Sequence, residues 1–205
     1  MKRNIIIMIM LVILSVVYGS EQTNIKTPFE FGVSFATGGR YDEVRSCVIT
    51  PIGSYGGPAF EFGAFIFDYW TSRWFAIGAY IPVIRPIIFG AAFNTLQFIP
   101  EMTITVALPL YYKIDFLIVL GIGGSFHFGT GYDSKKTYIS EKFFAGGPRF
   151  SLLIGPRFEI NSIFAISFGA KPYIECLFNS MDGRGGLVVG GELDFQCRFR
   201  LNIVQ

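Results

Sequence analysis

The sequence predicts an all-β chain: an eight-stranded antiparallel transmembrane up-and-down β-barrel after a cleaved signal peptide. Three observations carry this. The final stretch, Gly186 to Gln205, alternates apolar and polar residues over roughly twice a common strand length of about 5–6 residues. Eight such stretches are joined by connections that run long, short, long, short, long, short, long. The chain opens on Lys2 and Arg3, then an apolar run from Ile5 to Val17, the pattern of a secretory signal.

That run is shorter than the about 20 residues a helical span needs. Val17 and Gly19 are small enough to precede a cleavage point, which sets residues 1–19 as signal peptide, 20–27 as a short lead and 28–205 as the barrel. Cleavage removes two of the 17 basic residues and none of the 15 acidic ones, leaving the mature chain formally neutral. Such a balance supplies no electrostatic drive toward nucleic acid. Three cysteines, Cys47, Cys176 and Cys197, leave at least one unpaired within the chain, with Cys47 and Cys176 the expected pair if a disulfide forms. Helical spans are disfavoured, because the best uncharged stretch, Phe116 to Tyr132, holds five glycines, each costing a helix interior about 1 kcal/mol relative to alanine.

In chain order, Phe29, Phe31, Val33 and Phe35 alternate with small or polar residues and read as the first strand. Thr37 to Gly57 is a long loop. Pro58 to Tyr69 is the second strand, its alternation blurred at Phe65, Ile66 and Phe67 in the manner of a bulge. Trp70 to Arg73 is a tight turn and Trp74 to Ile81 the third strand. Pro82 to Pro100 breaks the pattern and is unusually apolar; it either folds back on the rim or extends the two strands it joins. Met102 to Leu108 is the fourth strand, followed by a turn to Asp115. Phe116 to Phe128 is the fifth, with Gly121, Gly123, Ser125 and His127 on one face. Gly129 to Lys142 is a polar loop. Phe143 to Ile160 and Ile163 to Cys176 are the sixth and seventh strands, joined at Asn161-Ser162 as a two-residue turn. Pro156 and Pro172 are awkward there, since each forfeits a ladder hydrogen bond. Leu177 to Gly185 is the last loop, and the final stretch is the eighth strand.

With the N-terminus at the inner side, every short connection lies at that end. Tyr69, Trp70, Trp74, Tyr111 and Tyr112 then share one level, where an aromatic girdle sits.

The export signal, the eight alternating strands and the connection rhythm together resemble the small bacterial outer-membrane β-barrels of the OmpX, OmpA transmembrane-domain and OmpW kind, over about residues 28–205. The resemblance departs at the end: such barrels finish on an aromatic residue, this chain on Ile203-Val204-Gln205, so another signal or Phe199 takes that role. It implies residence in the bacterial outer membrane, contact with outer-membrane lipid, a monomer, and long outward loops facing an extracellular ligand or host protein. It implies no enzyme, no cofactor and no nucleic-acid partner. The expected roles are surface interaction or adhesion, or passage of small apolar solutes.

Two alternatives stand beside this. Ser125 and His127 share a face, which invites comparison with lipid A-modifying outer-membrane enzymes. A hydroxyl nucleophile needs a base within about 2.6–3.2 Å, oriented by a third group. Residues two apart on a strand lie about 6.6–6.8 Å apart along the backbone, and no motif supplies the acid, although Asp133 follows in the next loop. They are weak catalytic candidates. No metal site is expected, since the cysteines are scattered and His127 has no ligand-spaced partner. The other alternative is a soluble, lipocalin-like ligand-binding barrel. It conflicts with the outward placing of Phe60, Phe62, Phe150, Phe158, Phe164, Phe168, Phe195 and Phe199.

The expected lumen network is Glu30, Glu61, Arg149, Arg157, Glu159, Lys171, Glu175, Glu192, Asp194, Arg198 and Arg200. Counting from the Asn161-Ser162 turn sets Arg149 opposite Glu175. Lys171 falls near Glu192 or Asp194, and Arg198 or Arg200 near Glu30. Balanced signs point to a salt-bridged plug, and an eight-stranded interior is just wide enough for side chains to fill.

Overall fold

A run of alternating residues has one apolar and one polar face, and a strand so built is stable when both faces find a matching medium. The chain meets that condition by closing into a ring. The computed structural model describes residues 29–42, 56–89, 92–130, 142–179 and 185–201, with side chains described over 29–40, 63–82, 97–128, 144–178 and 186–201. Nine strand segments are present among them: β1 (Phe29–Asp42), β2 (Gly56–Trp70), β3 (Phe75–Phe89), β4 (Ala92–Phe98), β5 (Glu101–Tyr111), β6 (Ile114–Thr130), β7 (Lys142–Glu159), β8 (Phe164–Asn179) and β9 (Gly185–Arg200). All pairings are antiparallel, and β1 pairs with β9, closing the ring. The signal segment 1–19, the lead 20–27, Cys47, Asp133 and Ile203-Val204-Gln205 lie outside the described residues.

β4 and β5 are two halves of one stave. Both lie between β3 and β6 and are separated only by Ile99-Pro100, so the ring has eight staves. Of the two readings of Pro82 to Pro100, strand extension is the observed one. β3 continues through Pro82 and Pro86 to Phe89, and β4 returns from Ala92.

The outer face is apolar. Phe31, Phe35, Phe67, Leu120, Ile122, Phe150, Phe168 and Phe195 are exposed. In water each would forgo roughly 25 cal/mol per Å2 of burial, a penalty absent against hydrocarbon. The same strands bury Glu30, Ser34, Arg149, Arg157, Glu175, Asp194 and Arg198 inside.

Two local features set which residues face which way. Gly63 has φ +72°, a left-handed conformation that glycine adopts without steric cost. It is the extra residue of a bulge: Ser34 pairs with Ala64, but Phe35 pairs with Phe62. The bulge lies ahead of the Phe65–Phe67 blur and reverses the alternation of β2, so Ala64, Ile66, Asp68 and Trp70 turn inward. The β7–β8 connection is the second feature. Inside the hydrogen-bonded pair Ile160 and Phe164 it is three residues long, 161–163, rather than two. Ile160 N–H donates to the Phe164 carbonyl at 3.0 Å, and the Asn161 side-chain oxygen accepts from the N–H groups of Ile163 and Phe164 at 2.8 and 2.7 Å.

The prolines share one seam. β6 and β7 pair without a break from Ile114 opposite Phe158 to Thr130 opposite Lys142. The β7–β8 ladder keeps its register but is interrupted three times: at Gly147-Pro148, at Pro172 facing Leu152, and at Gly155-Pro156. Each interruption contains a residue without an N–H to donate. Pro156 and Pro172 therefore do forfeit bonds, and with Pro148 they forfeit them in the same seam.

Candidate functional site

The interior is built from the inward residues of every stave, in two charged clusters. In the lower one, Glu30 of β1 accepts from Arg157 Nη2 at 2.6 Å, from Arg198 Nη1 at 3.2 Å, and pairs with Arg200 Nε at 3.4 Å. Arg198 also binds Asp68, and Arg200 binds Glu159. Arg157 lies over the Trp70 ring, 5.1 Å from its centre.

In the upper cluster, Arg149 pairs with Glu175 directly across the β7–β8 seam and donates to Glu101 Oε1 at 2.6 Å. Lys171 lies opposite Glu192 in the ladder, yet its ammonium sits 3.2 Å from Glu101 Oε2 and 3.5 Å from the Tyr80 ring centre. Between the clusters, Ser34 donates to Asp194 Oδ1 at 2.5 Å. Gln196 donates to Asp194 Oδ2 at 3.2 Å and accepts from Ser167 and Arg198. A void of about 20 Å3, room for a single water by the usual measure, remains among Tyr80, Glu101, Thr103, Lys171, Gln196 and Arg198.

Glu101, Asp68 and Gln97 are central here and absent from the sequence-derived network. Glu101 carries a legible signal, since it alternates with outward Met102 and extends the fourth strand one residue back. Asp68 carries none without the Gly63 bulge, because Glu61 facing inward would turn Asp68 outward. The side chain of Glu61 lies outside the described side chains; its backbone pairs with Ala36. Glu192 and Asp194 are both buried, whereas Glu159 and Arg200 are half-buried at the lower rim.

Ser125 and His127 touch: Oγ and Nε2 are 2.9 Å apart. Glu175 is the acid beside them, 3.0 Å from Ser125 Oγ and 3.3 Å from His127 Nε2. Gln97 Nε2 reaches both at 3.0 Å. The arrangement differs from a nucleophilic relay in two ways. Ser125 and Glu175 address the same imidazole nitrogen, whereas a relay uses one nitrogen for the nucleophile and the other for the acid. Ser125, His127 and Glu175 also have no exposed surface. The cluster gives the buried Ser125 hydroxyl, His127 Nε2 and Gln97 Nε2 partners inside the barrel.

At the lower rim, Tyr69, Tyr111 and Tyr112 are exposed and Trp74 is half-buried. Trp70 departs from the expected girdle. It follows outward Tyr69 on the same strand, so it points inward, packing with Ala76, Ala107 and Leu117.

The outer wall carries an apolar groove of about 780 Å3 across β7, β8, β9 and β1. Phe35, Ile154, Phe168, Leu193 and Phe195 form its ridges, and Thr37, Pro156 and Ala170 its small-residue floor. It overlies the seam break at Gly155-Pro156. A Cβ on Gly155 would collide with the Phe168 carbonyl and Gly169 Cα, so the backbones there are pressed together without side chains between them.

No protein-family model matches the chain, and no curated protein matches its sequence. Solved structures match its fold. Neisserial surface protein A is similar at 9% identity and TM-score 0.59, over 85% of this chain and 98% of that one. The outer membrane protein OprG from Pseudomonas aeruginosa is similar at 8% identity and TM-score 0.52, over 86% and 97%. The chain has the fold of the small eight-stranded outer-membrane β-barrels.

Proposed function

We propose that this protein is a non-enzymatic, monomeric, integral outer-membrane barrel that takes up small apolar molecules at its lipid-facing wall rather than passing ions along its axis. In this reading residues 1–19 direct export and are removed. The observation that carries it is the combination of an ion-paired interior with an apolar groove over the most interrupted seam of the ring. A charged solute entering the interior would have to displace buried ion pairs, each costing several kcal/mol to break. An apolar solute arriving from the bilayer meets Phe168, Phe195 and Ile154 first, and a wall with fewer hydrogen bonds behind them.

Enclosure of Ser125 and His127 weighs against lipid A modification, and the exposed aromatic outer face against a soluble lipocalin-like barrel. Adhesion through the long connections would rest on segments outside the described residues.

The test uses the full-length mature chain in phosphatidylcholine vesicles with N-phenylnaphthylamine as an apolar fluorescent probe. Saturable probe binding is expected for the wild type and strongly weakened binding for Ala170→Phe, which places a ring in the groove from an exposed outward position. Equal binding by both proteins, or a large steady conductance in a planar bilayer, would overturn the reading.

A further inference from the structure

The short turns carry a second concentration of chemistry that the wall groove does not use. The β2–β3 turn, residues 71–74, and the β5–β6 turn, residues 112–113, are neighbours on the ring. β3 pairs with β5, Phe75 opposite Val106, and the Ala107 N–H donates to the Trp74 carbonyl at 2.9 Å. Each turn holds one exposed cation against one aromatic ring. Arg73 Cζ is 5.3 Å from the Trp74 ring centre, and Lys113 Nζ is 5.5 Å from that of Tyr112. Among the described residues, neither cation forms an ion pair.

The backbone presents this corner outward. β5 alternates buried and more exposed residues until Ala107, after which all four remaining residues are exposed. A bulge between Pro109 and Tyr111 breaks the ladder there. Leu110, Tyr111 and Tyr112 are consequently exposed in succession, at 64, 78 and 78%. The turn closes on Lys113 at φ 64°, a left-handed conformation uncommon for a residue with a side chain.

Apolar Leu110, then rings, then two cations is the order of media met on leaving a bilayer: hydrocarbon, headgroup level, phosphate. Rings favour the headgroup level, and guanidinium and ammonium groups favour phosphate oxygens. We propose that Arg73, Trp74, Tyr112 and Lys113 form a subsite for the phosphate headgroup of an anionic glycerophospholipid in the inner leaflet. This rests on the membrane reading above, with the short turns on the periplasmic side.

The chain holds two tryptophans, and only Trp74 stands near lipid, since Trp70 is buried inside the barrel. The mature chain is reconstituted in phosphatidylcholine vesicles carrying equal amounts of either brominated phosphatidylglycerol or brominated phosphatidylcholine. Trp74 emission should fall more steeply with the anionic lipid. An Arg73→Gln, Lys113→Gln double variant should remove the difference, at about fivefold in relative lipid affinity per cation lost. Trp70→Phe removes the interior background; if that variant does not fold, the contrast between the two lipids in the unaltered chain still reports the preference. Equal quenching by both lipids in an inserted, heat-modifiable protein would overturn the subsite and leave the membrane reading standing. Absence of quenching by either lipid, with the protein free in buffer, would overturn the membrane reading itself.

Discussion

Arg149 lies directly opposite Glu175 across the β7–β8 seam, and the two form an ion pair with no exposed surface on either side chain. The odd length of the 161–163 connection makes this possible. A two-residue turn pairing Ile160 with Ile163 would have set Arg149 against Ile174, an outward residue, so the Arg149–Glu175 pairing belongs to the three-residue connection and not to the two-residue Asn161-Ser162 turn expected from the sequence. Arg149→Ala leaves Glu101 and Glu175 buried without their shared cation, and should cost about 3–5 kcal/mol. Urea unfolding in micelles measures it, and a loss under 1 kcal/mol would show that the upper cluster is not held by this residue.

Glu30 holds the closing seam, with three guanidinium groups converging on one carboxylate. Glu30→Ala should lower the temperature at which the folded band disappears in a heat-modifiability gel, and Glu30→Gln should recover part of the loss. An unchanged transition in both variants would remove Glu30 from the account of ring closure.

Ser125→Ala and His127→Ala should leave the lipid A acylation profile unchanged in mass spectra, because the pair is enclosed. Stability should fall instead, by about 1–3 kcal/mol for the polar partners left unsatisfied. An acylation change lost in either variant would make the enzymatic reading correct.

Phe168 stands exposed on the outer wall at the groove. Phe168→Arg should destabilise the barrel in lipid by about 2–4 kcal/mol, the cost of a cation near the bilayer midplane. The unaltered chain should require detergent and migrate differently before and after heating. A folded monomer free in buffer would contradict both expectations.

Cys197 is half-buried, paired with Val33 and Ile166 and sharing its face with Phe195 and Phe199. In vesicles it should resist a charged maleimide and react after unfolding. Rapid labelling of the folded protein, or a Cys197 disulfide in a peptide map, would show that β9 is placed one residue out of register.

Alternation along each strand was enough to determine the eight staves, their antiparallel order and most of the two faces, because side-chain direction in a strand depends only on local parity. Arg149, Arg157, Lys171, Glu175 and Arg198 were legible as inward residues for that reason. Residues whose direction depends on a non-local event were not. The Gly63 bulge is a choice of pairing between β1 and β2, and it alone turns Asp68 inward to meet Arg198. Trp70 follows the same reversal and leaves the girdle for the core. Glu101 meets Arg149 because the registers of β5, β6 and β7 set the two level with only Gly123 between them, and Lys171 reaches Glu101, and Ser125 reaches Glu175, across the curve of the wall. Pro148, Pro156 and Pro172 are visible in the sequence as lost donors, but their convergence on one seam is a fact of register. Partners across a barrel lumen are chosen by curvature and shear, which no single strand contains.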